Sequence, residues 1–198
     1  MTGSPSNTPR FPLLTEDSMT ERQRAMTEEF MSFSLRGMNA AFNMMLRAPD
    51  GCDRFQLQGD YLRQGTPFDL RQFELAVVVH ARIWTDQYEW MLHAPRAIGA
   101  GLAAEAVAAI REGRSPADLA PDEAAIFRFS VELARDRRLS DAAFRAVRDQ
   151  FGEKGVTDLA FLLGHYATIS MLLAVADEGA EEEDLPPCAD LFPDVARA

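Results

Sequence analysis

Residues 74–84, ELAVVVHARIW, constrain the fold more than any other stretch of this chain. The run is apolar almost all round, and no turn signal interrupts it from Asp69 to Trp84. Val77, Val78 and Val79 would suit a strand, but strands are usually much shorter than this segment. The reading is therefore a central helix that is buried on every side. Such a helix cannot stand in water alone, so the rest of the chain has to wrap it.

The wrapping reads as more helices. Thr20-Glu21-Arg22-Gln23 is a capping box, which predicts a helix from about Glu21. Met26, Phe30, Met31 and Phe33 give it an apolar stripe, and Gly37 breaks it. A short helix from about Met38 to Arg47 follows, ended by Pro49. A third carries Phe55, Leu57, Tyr61 and Leu62 and stops at Gly65. Beyond the central helix, Thr85 is placed to cap the segment TDQYEWMLHAPRAIGAG, with Asp86 in its first turn. Pro95 is expected to kink or interrupt that helix. A short alanine-rich helix over 103–111 closes at Gly113. Asp122 to Asp136 is amphipathic through Ile126, Phe127, Phe129 and Leu133. Ser140 caps a helix containing Phe144, Val147 and Phe151, and a last long helix runs from about Val156 to Asp177. There is no glycine-rich phosphate loop, no strand–helix alternation and no solenoid repeat. The expected fold class is all-α. Residues 1–10 read as a flexible arm, 11–178 as one helical domain, and 179–198 as an acidic, solvated tail.

Charge and cysteine usage exclude several functions. Of 198 residues 20 are basic and 31 acidic, a net charge of −11. That charge repels phosphate backbones and anionic lipid, so neither nucleic acid nor membrane is an expected partner. Cys52 and Cys188, the two cysteines, lie far apart in sequence. Their spacing excludes a disulfide scaffold, a zinc ribbon and a CxxC redox site. No stretch reads as the ~18 apolar residues a bilayer span requires. The N-terminal part lacks the apolar run of a signal peptide, so a cytoplasmic location is expected.

The chemistry concentrates in one segment. Asp86, Glu89 and His93 are spaced three and four apart, which puts them on one helix face. The short Trp84–Thr85 corner makes the central helix an antiparallel neighbour and brings Glu74 toward that face. A histidine among carboxylates suits proton transfer, because imidazole titrates near neutrality and carboxylates tune its basicity and tautomer. Arg82 can pair with Glu74 or bind a substrate carboxylate through its two-pronged donor geometry. Trp90, Met91 and Ala94 flank the group with apolar surface. The plainer alternative is that Glu89 and His93 form an ordinary helix-stabilising pair. Two carboxylates and one histidine suit several divalent ions, but a Glu-x-x-x-His pair without a second histidine is a common accident, so no metal and no other cofactor are expected. His80 reads as a core histidine. His165 stands beside Tyr166, which fits the inward stripe of the last helix. Cys52 and Cys188 have no obvious basic neighbour in sequence and read as inert. The methionines read as packing.

Residues 74–102, ELAVVVHARIWTDQYEWMLHAPRAIGAGL, resemble the carboxymuconolactone decarboxylase family, part of the wider AhpD-like superfamily of alkylhydroperoxidases. The likeness rests on the Glu-Leu-Ala helix, the Ala-Arg-x-Trp ending, Tyr-Glu-Trp-x-x-His-Ala and a Gly-Leu turn. The later IREGRSPADLAPDEAAIFRF and VTDLAFLLGHYATISMLLAV are also similar to this family, so the likeness spans roughly Asp69 to Ala176. It implies an AhpD-like helical bundle whose active site is buried between subunits of a homo-oligomer, from dimer to hexamer. In the hydroperoxidase branch the motif is Glu, then Cys-x-x-Cys-x-x-x-His. Glu74 and His93 match its Glu and His, but Asp86 and Glu89 stand at the cysteine positions, and a disulfide cycle needs two sulfurs. The Glu-x-x-x-His of the decarboxylase branch is retained as Glu89 and His93. The resemblance supports His93, Glu89 and Glu74 as catalytic residues; it does not place the family's substrate-binding residues, and Arg82, Asp86 and Trp90, which neighbour the group in sequence, are the residues expected against the substrate. The expected function is a cofactor-free lyase or isomerase acting on a small organic acid or lactone. The alternatives are a peroxidase-type oxidoreductase, which the missing cysteine pair disfavours, and a non-catalytic helical oligomer that binds a small ligand.

Overall fold

The structure is a computed structural model and describes residues 10–33, 40–177 and 184–198. Among them there are eight α-helices and no strand: α1 Glu21–Phe33, α2 Ala40–Met45, α3 Pro49–Gln64, α4 Leu70–Trp84, α5 Gln87–Gly99, α6 Ala104–Arg111, α7 Pro121–Val131 and α8 Asp141–Ala176. The all-α class follows. The expected arm, apart from Arg10, the break at Gly37 and the start of α2 at Met38 lie outside the described residues, as do residues 178–183 of the acidic run. Where the sequence reads one domain, the chain divides into two compact units, Met1–Gly59 with Met171–Gly179 and Asp60–Ser170 with Ala180–Ala198.

The first unit begins as the capping box requires. The Thr20 N–H donates to Gln23 Oε1 at 2.8 Å, and the Gln23 N–H donates back to Thr20 Oγ1 at 3.3 Å. Its small core joins Met19, Met26, Phe42, Leu46 and Cys52. Phe30 stacks on Phe42 with ring centroids 3.8 Å apart.

The second unit is built round α4. Every residue of α4 from Gln72 to Arg82 is buried, and α5, α6 and α7 pack against it. Asp69 starts it with a reciprocal cap: Asp69 Oδ1 accepts the Gln72 N–H at 2.8 Å and Gln72 Oε1 accepts the Asp69 N–H at 2.9 Å. Burying side chains such as Leu75, Val78 and Val79 contributes about 1.5–3 kcal/mol each, which overrides the strand preference of the three valines.

Three local expectations are corrected. Thr85 does not cap α5. It adopts a left-handed conformation at φ 51° and ends α4, so that the N-cap role passes to Asp86. Pro95 does not break α5, which runs on to Gly99. The proline costs one backbone donor, and the helix survives because Trp90, His93, Ala94 and Ala97 on either side of it are buried. The two helices expected after Ser140 follow each other without a loop and meet at a kink. They are separated by Gly152 alone, at φ 71° and ψ −178°, a conformation essentially reserved for glycine.

α7 passes into a π-helical turn at Glu132–Asp136. Glu132 is fully buried and ties that turn to the start of α8. Its carboxylate accepts from Arg128 Nε at 2.8 Å, Ser140 N at 2.7 Å and Ser140 Oγ at 3.0 Å. α8 is the one helix among the described residues that is long and apolar enough to cross a membrane, where the sequence reading found no such stretch. Its Leu159, Leu162, Leu163 and Tyr166 are buried in the core of the second unit.

Residues 184–198, read from the sequence as solvated tail, are bound to the second unit. Leu185 and Phe192 are buried in its core. Gln87 Oε1 accepts the N–H groups of Asp184 and Leu185 at 2.9 and 2.8 Å, and Gln87 Nε2 donates to the Leu185 carbonyl at 3.0 Å. Arg135 donates to the carbonyls of Phe192 and Val195. The apolar residues after Asp184 supply that burial.

Candidate functional site

α4 and α5 are joined by a tight corner, in which the Thr85 N–H reaches the Arg82 carbonyl and the Asp86 N–H reaches the Ala81 carbonyl. The corner folds α5 back onto α4 and brings Glu74 to His93. His93 Nδ1 lies 2.6 Å from Glu74 Oε2, and His93 Nε2 lies 3.2 Å from Glu89 Oε2. The ring is thus held at both nitrogens, once across the helix pair and once along α5. Exposure is 3% for Glu74 and 5% each for Glu89 and His93, so the three groups exchange few contacts with water.

Burial alone would push the imidazole toward its neutral form. The hydrogen bonds to Glu74 and Glu89, together with the charges of both carboxylates, overcome that penalty and raise His93 from 6.5 to about 9. At neutral pH the ring is a cation between two acids. The bond to Glu74 is short and the bond to Glu89 longer, so the proton on Nε2 is the less tightly held of the two.

Tyr166 of α8 closes the site from a third side. Its ring meets the His93 ring edge-on, centroids 5.2 Å apart at 88°, and it also meets Phe73 at 6.1 Å. Burial, then the charges of Glu89 and Glu74, push its hydroxyl well above the usual tyrosine range, so it stays protonated. The sequence placed Tyr166 on an inward stripe. Pairing it with His93 needed the packing of α8 on α5, which no spacing within one helix reveals.

Asp86 serves the site indirectly. Its Oδ1 accepts the Glu89 N–H at 3.0 Å and its Oδ2 accepts the Ser170 hydroxyl at 2.6 Å. It therefore fixes the first turn of α5, the turn that carries Glu89, against α8. Ser170 gave no signal in sequence.

Arg82 and Trp90 are not brought to the cluster. Arg82 does not pair with Glu74; its Nη2 donates to the Pro186 carbonyl at 2.8 Å. Trp90 donates from Nε1 to Asp184 Oδ2 at 2.9 Å. Arg111 grips the other oxygen of Asp184 at 2.9 and 2.7 Å. Both residues proposed to face a substrate thus hold the C-terminal segment. His80 is buried with neither ring nitrogen hydrogen-bonded, stacked on Trp84 at 5.7 Å, and burial lowers it to about 4. Among the described residues no group of three or more His, Cys, Asp or Glu is arranged to hold a metal ion. No family model matches the chain, and no curated protein matches its sequence.

Proposed function

We propose that this chain is a cofactor-free lyase or isomerase, similar in its chemistry to the carboxymuconolactone decarboxylases, in which His93 carries a proton to or from a small lactone or organic acid. The observation that supports it is the double grip on a buried imidazole: Glu74 at 2.6 Å on Nδ1 and Glu89 at 3.2 Å on Nε2. Burying three ionisable groups costs several kcal/mol per ion before pairing. A purely structural core achieves stability more easily with aliphatic residues, so such a cluster points to proton chemistry.

Glu74 is the orienting partner, which holds the Nδ1 proton and fixes the ring plane. Nε2 delivers its proton to the substrate, and Glu89 stabilises the cation before delivery and guides the returning proton. Tyr166 excludes water from the ring face. The acting form is a homo-oligomer. Leu70, Trp84, Ile98 and Phe161 of the second unit are large apolar side chains left 39–63% exposed, and surface of this kind marks interfaces. Light scattering at micromolar concentration should give a multiple of 22.0 kDa; a value at the monomer mass defeats the oligomer.

The test of the chemistry is solvent exchange. A panel of small lactones and organic acids is incubated with the protein in D2O and followed by proton NMR. Wild type should exchange or convert at least one compound, and His93→Gln should lose this while keeping the far-UV spectrum. Binding of a compound without exchange would instead favour the non-catalytic ligand-binding reading.

A further inference from the structure

Arg82 is left over by the chemistry above. It lies in α4 with no exposed surface, and a guanidinium does not give up its charge in a protein. Buried cations are ordinarily paired with an acid. Among the described residues no carboxylate pairs with Arg82. Its one hydrogen bond runs from Nη2 to the Pro186 carbonyl at 2.8 Å, and Nε and Nη1 have no partner. A carbonyl offers a dipole and no charge, so the cation and two of its three nitrogens stay uncompensated.

The neighbouring charges do not supply the missing anion. Asp184 lies two residues before Pro186, but both its oxygens are taken. Arg111 holds Oδ1 at 2.9 and 2.7 Å, and the Trp90 indole N–H holds Oδ2 at 2.9 Å. Arg111 adds a second positive charge that acts on Arg82. A water molecule would satisfy the idle donors and leave the charge, whereas an anion answers both. Pro186 is half-buried, and Pro187 and Cys188 after it are exposed, so the stretch that meets Arg82 runs at the surface.

We propose that Arg82 is the binding site of a small monovalent oxyanion, of the carboxylate or bicarbonate class, seated on the guanidinium beneath the Pro186 stretch. A planar oxyanion accepts two parallel N–H bonds from a guanidinium edge, and Nη2 carries a second N–H besides the one that meets Pro186. One cation neutralises one charge, so a monoanion is preferred to a dianion, which would leave a negative charge buried. Full burial restricts the ligand to a few atoms. The ion enters by local parting of the Pro186 stretch, which leaves the helical core closed. The site stands apart from the proton chemistry at His93, since Arg82 lies eight residues beyond Glu74 on α4, about 12 Å along the axis.

The experiment titrates the full chain with 13C-labelled formate in a zwitterionic buffer and follows the width of the formate carbon resonance, with the melting temperature measured in parallel. Wild type should broaden the resonance saturably, and saturation should raise the melting temperature by about 5 °C. Bicarbonate should displace formate at similar concentration. Chloride, which has the charge without the paired oxygens, should need about tenfold more. Arg82→Met should abolish the broadening. Arg82→Lys keeps the charge and loses the fork, and should weaken formate about tenfold while leaving chloride nearly unchanged. No broadening in wild type overturns the proposal, as does broadening that persists in a folded Arg82→Met protein. Equal competition by chloride and bicarbonate overturns the oxyanion class. If Arg82→Met fails to fold, the Arg82→Lys comparison decides.

Discussion

Glu74 and His93, nineteen residues apart in sequence, meet through a 2.6 Å hydrogen bond between side chains that are both almost fully buried. The corner at Thr85 makes this possible, since it turns the chain back within two residues. The bond also inverts the outcome of burial. An isolated imidazole in this core would lose its proton, as His80 does, whereas His93 keeps it.

That inversion gives the first prediction. In a histidine-selective NMR titration, His93 of the wild type should titrate near 9. Glu74→Gln keeps the shape and removes the charge, leaving desolvation opposed by Glu89 alone. The midpoint should fall by at least about one unit, each unit being ~1.4 kcal/mol of differential interaction between the protonation states. An unchanged midpoint would mean that Glu74 does not hold the proton.

Stability should peak near neutral pH, with each flank set by different histidines. His93 is raised above its ordinary value of 6.5. Its contribution is complete below 6.5 and is lost as pH climbs through about 9. His80 is lowered to about 4 by burial, and His165 to about 4 by burial and then Arg63. The unfolded chain binds protons at these two positions before the folded chain does. Their contribution is present above 6.5 and is lost as pH falls toward 4. Urea midpoints measured from pH 4 to pH 10 should trace this dome. His80→Leu should flatten the acid limb. It should also raise stability at pH 5 by about 1–2 kcal/mol, because it removes two buried ring nitrogens that have no partner.

Asp86 and Ser170 should behave as a coupled pair. Asp86→Ala loses the cap of α5 as well as the Ser170 contact and should cost about 2 kcal/mol. Ser170→Ala should cost about 1 kcal/mol. The double variant should cost less than the two together, because both remove one shared bond. Strict additivity in urea unfolding would show that the 2.6 Å contact contributes nothing.

Much of this was legible in the sequence for identifiable reasons. The apolar run around Val77–Val79 fixed α4 as the centre, and the spacing of Glu89 and His93 fixed their common face. The corner at Trp84–Thr85 then implied the approach of Glu74. Legibility stopped where one side chain takes a single partner from several candidates. Arg82 stands eight residues from Glu74 on the same helix, about 12 Å along its axis, and it bonds a backbone carbonyl more than a hundred residues away. Trp90 looked like a wall beside His93, yet its indole N–H turns to Asp184. A buried indole or guanidinium goes to whichever acceptor the final packing offers, and that acceptor lies on a segment whose acidic start disguised its apolar end.

The C-terminal segment supplies the last prediction. Phe192 is fully buried and packs edge-on to Phe127 with centroids 5.3 Å apart, and its N–H donates to the Gly113 carbonyl at 2.7 Å. A solvated tail would tolerate its loss. Here Phe192→Ala should cost about 3–5 kcal/mol, the range for deleting a buried aromatic ring. Trp84 and Trp90, the two tryptophans of the chain, both lie in the second unit, so intrinsic fluorescence reports on that unit directly. Removing residues 184–198 should strip Trp90 of its Asp184 acceptor and shift its emission to the red, with a lower urea midpoint. Asp184→Asn should leave the midpoint within about 1 kcal/mol of wild type, because Asp184 is exposed and such surface ion pairs contribute little. A truncated chain with unchanged emission and midpoint would return these residues to the role of a tail.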